Sequence, residues 1–227
     1  MGIEFLPNQT LINKLNNAFE ILKNKLMQSR VEIEPSPHIF LNKALDENLL
    51  KILWDDLPND IKFGLVEEGG NILRNYAIQS YVWNAYDAFI RYILICLFPK
   101  FREWLEIKNN QLLSHNMSCS WIRQYASFIC FNDPKKGVPP HTDGESSVLN
   151  IITVLGYPDG SMAPVTNFFS KEKSSGIYFP TTQYPPSRGS IFVWLNLNNA
   201  CHGVIEKIYP KRLTHIASLE SYERNND

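Results

Sequence analysis

The chain is poor in the features that mark the commonest specialised classes. Four cysteines, Cys96, Cys119, Cys130 and Cys201, occur among 227 residues, and no two have C-x-x-C spacing. That excludes a disulfide scaffold and a thiolate zinc knuckle, and leaves buried free thiols in a reducing compartment. The longest apolar stretch, Tyr92 to Pro99, is far too short to span a bilayer. The N-terminus lacks a signal-peptide pattern, and Leu6 stands where a myristoylation site needs Ser or Thr. Neither sign of charge dominates: 22 Lys and Arg against 23 Asp and Glu give a net charge of −1, with no basic stripe for nucleic acid. Internal repeats and low-complexity segments are absent too. Cytoplasm is therefore the expected compartment. The expected partner is a small-molecule substrate, with no nucleic acid and no membrane, and a homodimer is left open.

What is present fits a globular chain with a sizeable core, 44% hydrophobic and 20% charged. One domain over 1–227 is the simplest division, with a mainly helical support region (1–117) and a β-rich core (118–222). Leu11, Ile12, Leu15, Phe19, Leu22 and Leu26 recur at helical spacing and predict a helix over roughly Asn8 to Ser29. His38 to Leu41 is a short strand, with His38 structural. Asp46 caps a second helix that ends before Pro58, and Glu67 to Asn71 is a polar loop. A third helix runs from about Ser80 to Phe98. The period then changes. Ser118 to Cys130, Val148 to Leu155, Gly176 to Phe179, Ser190 to Leu195 and Leu213 to Leu219 are predicted strands. Helices followed by strands argue an α+β fold. Gly156 to Ser175 reads either as a mobile lid or as an ordinary surface loop.

Chemistry concentrates in the second half. His141 and Asp143 point to one side if their segment is extended. His202 follows the apolar run Ser190 to Leu195, and Arg212 and Thr214 share a strand face with Ile216 and Ser218. Two imidazoles and one carboxylate suit a redox-active iron and leave coordination positions open; the same set also suits zinc. A guanidinium fork with a nearby hydroxyl suits a carboxylate. The plainer alternatives are a polar turn after Pro139-Pro140, a satisfied imidazole at His202 and a solvated charge at Arg212. His215 alternates away from Arg212, and neither it nor His115 is expected to ligate metal.

On His141, Asp143, His202, Arg212 and Thr214, with the Gly189 to Trp194 approach, the sequence resembles the Fe(II)/2-oxoglutarate-dependent dioxygenase superfamily. The match covers roughly residues 120–222. Pro37 to Leu41, leading into an acid-capped helix, looks like small bacterial members related to prolyl 4-hydroxylases. The resemblance implies a double-stranded β-helix (distorted jelly roll) backed by the N-terminal helices. It also implies that His141, Asp143 and His202 bind Fe(II), and that Arg212, helped by Thr214, binds 2-oxoglutarate. Tyr125 would be a further cosubstrate contact. Asn150, polar among apolar neighbours, would either contact the cosubstrate or bond a backbone group. The implied reaction consumes 2-oxoglutarate and O₂, releases succinate and CO₂, and hydroxylates an unactivated C–H bond. A carboxylate at Asp143, where related halogenases carry a small residue, favours hydroxylation. The expected substrate is a small metabolite such as an amino acid or a carrier-tethered intermediate. Alternatives are a peptidyl (prolyl-type) hydroxylase, a non-enzymatic metal-binding jelly roll and a zinc hydrolase.

Overall fold

A computed structural model of the protein describes residues 8–57, 80–114, 117–131, 138–157, 159–204 and 212–223, with the backbone alone at 117–131 and 222–223. The predicted loop Glu67 to Asn71 and the His115 reading lie outside the described residues, as does the side chain of Tyr125.

Each of the three predicted helices begins at a polar cap, the one at Asp46 as expected. Helix α1 (Gln9–Gln28) starts where the Asn8 side chain accepts a hydrogen bond from Leu11 N. Asp46 does the same for Leu49 N at the start of α2 (Glu47–Asp55), and Ser80 for Trp83 N at the start of α3 (Tyr81–Leu97). Each cap satisfies a backbone donor that the first helical turn leaves open. A 3₁₀ turn, Phe98–Phe101, leads into α4 (Arg102–Leu113). The sequence did not announce α4 because it buries only Lys108 and Leu112, too few positions to create a helical stripe.

The strands are β1 (His38–Leu41), β2 (Met117–Phe131), β3 (Val138–His141), β4 (Ser147–Gly156), β5 (Asn167–Lys171), β6 (Tyr178–Pro180), β7 (Ser190–Leu195), β8 (His202–Val204) and β9 (Leu213–Glu223). They form two antiparallel sheets, one ordered β1-β7-β4-β9-β2 and the other β3-β8-β5-β6. The architecture is α+β, as expected. The lid reading of Gly156 to Ser175 is corrected: β5 lies inside that segment, pairs with β8 and β6, and buries Phe168 and Phe169. An Ala163–Ser187 bridge pins the same segment further upstream. A polar flank hid the strand, since only two consecutive aromatic residues mark it.

Strand alternation divides the larger sheet into two faces. Leu149, Ile151, Leu155, Ile191, Val193, Leu195, Leu213 and Ala217 pack with α1, α2 and α3 in the main core. That face also takes Tyr86, whose hydroxyl meets Thr153 Oγ1 at 2.8 Å, and His215, whose Nε2 lies 3.0 Å from Asp87 Oδ1. The opposite face carries Ile152, Phe192 and Trp194, which cluster with Phe168 of β5. Both faces of β4 and β7 are therefore covered. This explains why Ser190 to Leu195 reads as a continuous apolar run rather than an alternating one.

The turn into β7 depends on Gly189. Its φ is +73°, a region in which an L side chain is strained. A Cβ there would also lie 2.9 Å from Leu50 Cδ1 and 3.2 Å from Leu45 O. Backbone bonds from Gly189 N to Val154 O (2.7 Å) and from Leu45 N to Gly189 O (2.9 Å) prevent the turn from moving aside. Gly189→Ala should lower unfolding stability by at least about 1–2 kcal/mol. Chemical denaturation checks this, and an unchanged midpoint would contradict the packing described.

Candidate metal centre

Strand β3 is an edge strand and contains Pro139 and Pro140, which have no N–H to offer a ladder. Val138 pairs with Val204 and His141 with His202. Two residues on β3 thus oppose Gly203 alone on β8, which makes a β-bulge. Gly203 is what lets the strands close around it. A Cβ at this position would lie 2.8 Å from Val138 O and 3.0 Å from Pro140 N. The register sets His141 directly across from His202, and their ring centroids are 4.5 Å apart. Directly opposed residues project to the same face.

The strand reading of His141 and Asp143 holds for His141 only, because β3 ends there and Asp143 lies on the following loop. The convergence survives this difference. Asp143 Oδ1 is 3.6 Å from His202 Nε2 and 3.8 Å from His141 Nε2. One donor atom from each of the three residues lies within 4.8 Å of the others. Two ligands each about 2.1 Å from one ion stand at most about 4.2 Å apart, so both imidazole–carboxylate separations fall inside that limit.

The imidazoles are held in the tautomer a metal requires. His141 Nδ1 donates to Pro139 O at 2.9 Å, and His202 Nδ1 donates to Ala200 O at 3.0 Å. With Nδ1 protonated, each Nε2 keeps its lone pair on the side of Asp143. Burial of His202 holds its pKa below the ordinary imidazole value. The Asp143 charge opposes that shift and His141 adds to it. His202 therefore stays neutral and competent as a ligand at neutral pH. His141 is the exposed member and leaves one side open to solvent.

Asp143 is oriented by Asn150 and, through its loop, by Asn196, which the sequence did not single out. Its Oδ2 accepts from Asn150 Nδ2 at 2.7 Å, and Asn150 Oδ1 in turn accepts from Ser147 Oγ at 2.5 Å. Asn150 thus bonds two side chains rather than the backbone group that was the alternative to a cosubstrate contact. Asn196, just past β7, donates through Nδ2 to Gly144 O (3.0 Å) and Ser147 O (3.1 Å). It staples the loop that presents Asp143. An asparagine directly after an apolar run was the sequence signal available for Asn196.

Arg212 and Thr214 are both buried. Thr214 pairs with Val154, Ile216 with Ile152 and Ser218 with Asn150. These rows place Thr214 on the face that also carries Asn150 and Ile152. Arg212, just before β9, donates through Nη1 to Pro164 O at 2.6 Å. Tyr125 pairs with Leu219, one position from the Ser218 row. His38 is structural: its Nδ1 meets Ser36 O at 2.7 Å, its Nε2 meets the Tyr184 hydroxyl at 2.5 Å, and Phe168 and Phe192 contact it edge-on.

No family profile matches the chain, and no curated protein matches its sequence. Solved structures do match its fold. A prolyl 4-hydroxylase of Phytophthora capsici superposes with a TM-score of 0.52 at 10% identity, over 99% of this chain and 70% of that one. A Pseudomonas putida prolyl-4-hydroxylase covers 92% and 94% of the two chains at 13% identity and a TM-score of 0.47. The non-haem α-ketoglutarate-dependent epimerase SnoN of nogalamycin biosynthesis covers 90% and 84% at 11% identity and a TM-score of 0.42. The chain thus shares its fold with a prolyl 4-hydroxylase. Among the described residues, no helix is long and apolar enough to cross a membrane.

Asn150→Ala would leave Asp143 free to rotate away from the imidazoles. Metal affinity should fall about 10–100-fold, the usual effect of losing a partner that orients a ligand. Competition with a chromogenic chelator measures this, and wild-type affinity would show that Asn150 does not orient Asp143.

Proposed function

We propose that the protein is an Fe(II)- and 2-oxoglutarate-dependent oxygenase that hydroxylates an unactivated C–H bond of a small metabolite. The observation that carries this reading is the convergence of two tautomer-locked imidazoles on a single oriented carboxylate. The two sheets are read as the two halves of a double-stranded β-helix. His141, Asp143 and His202 would hold the iron. Three protein ligands leave positions for a bidentate cosubstrate and for oxygen, and one carboxylate offsets part of the charge. When bound, iron and 2-oxoglutarate supply an O₂-dependent oxidation coupled to decarboxylation of 2-oxoglutarate to succinate.

The protein's own residues supply position and shelter. Arg212 would take the distal carboxylate of 2-oxoglutarate in a two-pronged hydrogen bond, with the Thr214 hydroxyl beside it. Both groups are buried, so the pairing is strengthened by the low local dielectric. Asn150 holds Asp143 by one oxygen and leaves the other for the metal. Phe168, Phe192 and Trp194 keep water from the face between the sheets, and Trp194 packs against His202 with ring centroids 4.7 Å apart. Asp143 itself favours hydroxyl transfer, because its carboxylate fills the position a halide would need.

The test is succinate formation from 2-oxoglutarate under Fe(II) and air across a metabolite panel, with mass detection of a gain of one oxygen. A zinc hydrolase would turn over without O₂ and release no succinate, and a purely structural metal site would do neither. Arg212→Ala should raise the 2-oxoglutarate requirement at least tenfold while iron still binds, because losing a buried charged partner costs about 2–5 kcal/mol. Arg212→Lys should recover part of it, since the charge remains without the fork. Titration of 2-oxoglutarate into the iron-loaded protein reads both, and an unchanged requirement in Arg212→Ala would remove Arg212 from the site.

A further inference from the structure

We propose that Tyr184, with His38 as its proton acceptor, is a redox-active tyrosine that traps stray oxidising equivalents from the candidate metal centre, delivered through Trp194. The proposal rests on the oxygenase reading, which supplies an O₂-derived one-electron oxidant, and adds a protective function to it. When such an oxidant forms with no substrate C–H bond in reach, a nearby side chain is oxidised instead. Trp194 is placed to be that side chain, because its ring centroid lies 4.7 Å from that of His202. From Trp194, aromatic rings lead toward the surface. Phe192 stacks on Trp194 with centroids 5.1 Å apart, and Tyr184 follows at 5.9 Å from Phe192. Tyr184 is half-buried and stacks on Phe40 at 3.9 Å, so the row of rings ends near solvent. Its backbone N–H donates to Asn167 Oδ1 at 2.9 Å, which fixes the loop that carries it.

Two observations make Tyr184 the end point and Trp194 a relay. Loss of an electron makes an indole or a phenol strongly acidic, so the oxidation settles where a base takes the proton. The Trp194 indole N–H is buried and has no hydrogen-bond partner among the described residues. An oxidised Trp194 therefore keeps its positive charge in an apolar layer, where charge is costly. The Tyr184 hydroxyl, by contrast, lies 2.5 Å from His38 Nε2. The bond that fixes His38 in the fold also makes it a base. Its Nδ1 donates to Ser36 O at 2.7 Å, which leaves the Nε2 lone pair for the phenol proton. Burial lowers the pKa of His38 and raises that of Tyr184, so the resting pair is a neutral imidazole and an intact phenol. Glu32 Oε2 lies 3.3 Å from the same Nε2 and balances the imidazolium once it forms. In the step itself, Trp194 gives one electron to the oxidant and regains one from Tyr184. The Tyr184 O–H bond breaks, its proton forms an N–H bond at His38 Nε2, and a neutral phenoxyl radical faces an imidazolium. A soluble one-electron reductant such as ascorbate returns the electron, and His38 returns the proton.

The test is laser-flash oxidation of the metal-free protein by a soluble ruthenium polypyridyl photo-oxidant, read by the visible absorption and EPR signal of the phenoxyl radical. Tyr184→Phe should remove part of the wild-type signal, the other tyrosines contributing equally to both. His38→Gln keeps a hydrogen-bond acceptor but no base, and should slow formation of that part by at least about a hundredfold. Should His38→Gln fail to fold, Glu32→Gln serves instead. Glu32 is exposed, so the change leaves the core untouched, and loss of its charge should slow formation roughly two- to fivefold. An unchanged signal in Tyr184→Phe, or wild-type kinetics in whichever of His38→Gln and Glu32→Gln fold, overturns the proposal. The route is read on the iron-loaded protein with 2-oxoglutarate and air but no substrate. There Tyr184→Phe should survive fewer turnovers than wild type, and its Trp194 peptide should gain oxygen by mass. Succinate formation with equal survival and an unmodified Trp194 removes the route and leaves the oxygenase reading standing. Absence of succinate from every variant overturns the oxygenase reading and the route with it, even where the flash experiment finds the Tyr184 radical.

Discussion

The contact of β3 with β8 holds the candidate metal ligands together, and it exists because Gly203 has no side chain. The backbone of Val138 to Pro140 passes where a Cβ would stand. That closeness puts His141 across from His202. The two prolines opposite Gly203 add an unpaired residue to β3, and the resulting bulge leaves the Pro139 carbonyl free to accept from His141 Nδ1. A larger residue at position 203 would push β3 outward and separate the imidazoles, even though it touches neither ring. The chemistry of the site is thus set by a backbone approach as much as by the ligand side chains.

A second layer ties this contact to the larger sheet. Asn150 belongs to β4, yet it bonds the carboxylate of a loop that follows β3. Asn196, just past the end of β7, bonds the carbonyls of the same loop. The Asp143 loop is therefore held by two neighbouring strands of one sheet, while the imidazoles come from the other. Any shift of one sheet against the other would separate the carboxylate from the imidazoles. The packed aromatic residues between the sheets, Phe168, Phe192 and Trp194, resist that shift, since interiors at close-packed density tolerate little sliding.

The helices act on the site indirectly. They cover the far face of the larger sheet with Leu15, Leu22, Leu50, Trp83 and Ile90. With that face sealed, the inner face of β4, β7 and β9 can carry polar groups such as Asn150 and Thr214. His215 shows the division: one residue along β9 from Thr214, it faces α3 and pairs with Asp87. Helix α4 is the exception, because its Lys108 reaches the loop that carries Asp143 directly.

By itself the sequence determined the three N-terminal helices, the main strands and the identity of the converging residues. Caps, periodicity and the order His-x-Asp, strand, His, Arg-x-Thr are local properties, so a linear reading finds them. It did not reveal α4 or β5, because a helix with two buried residues and a strand with two aromatics carry too little pattern. Nor could it tell whether His141 and Asp143 shared a strand. Only the tertiary structure decided that Asp143 sits on a loop and that Asn150 and Asn196 hold it there. It also decided that Lys108 faces the same loop. Those contacts join residues far apart in the chain, and their partners are chosen by sheet register and by the bulge at Gly203, neither of which is written in local spacing.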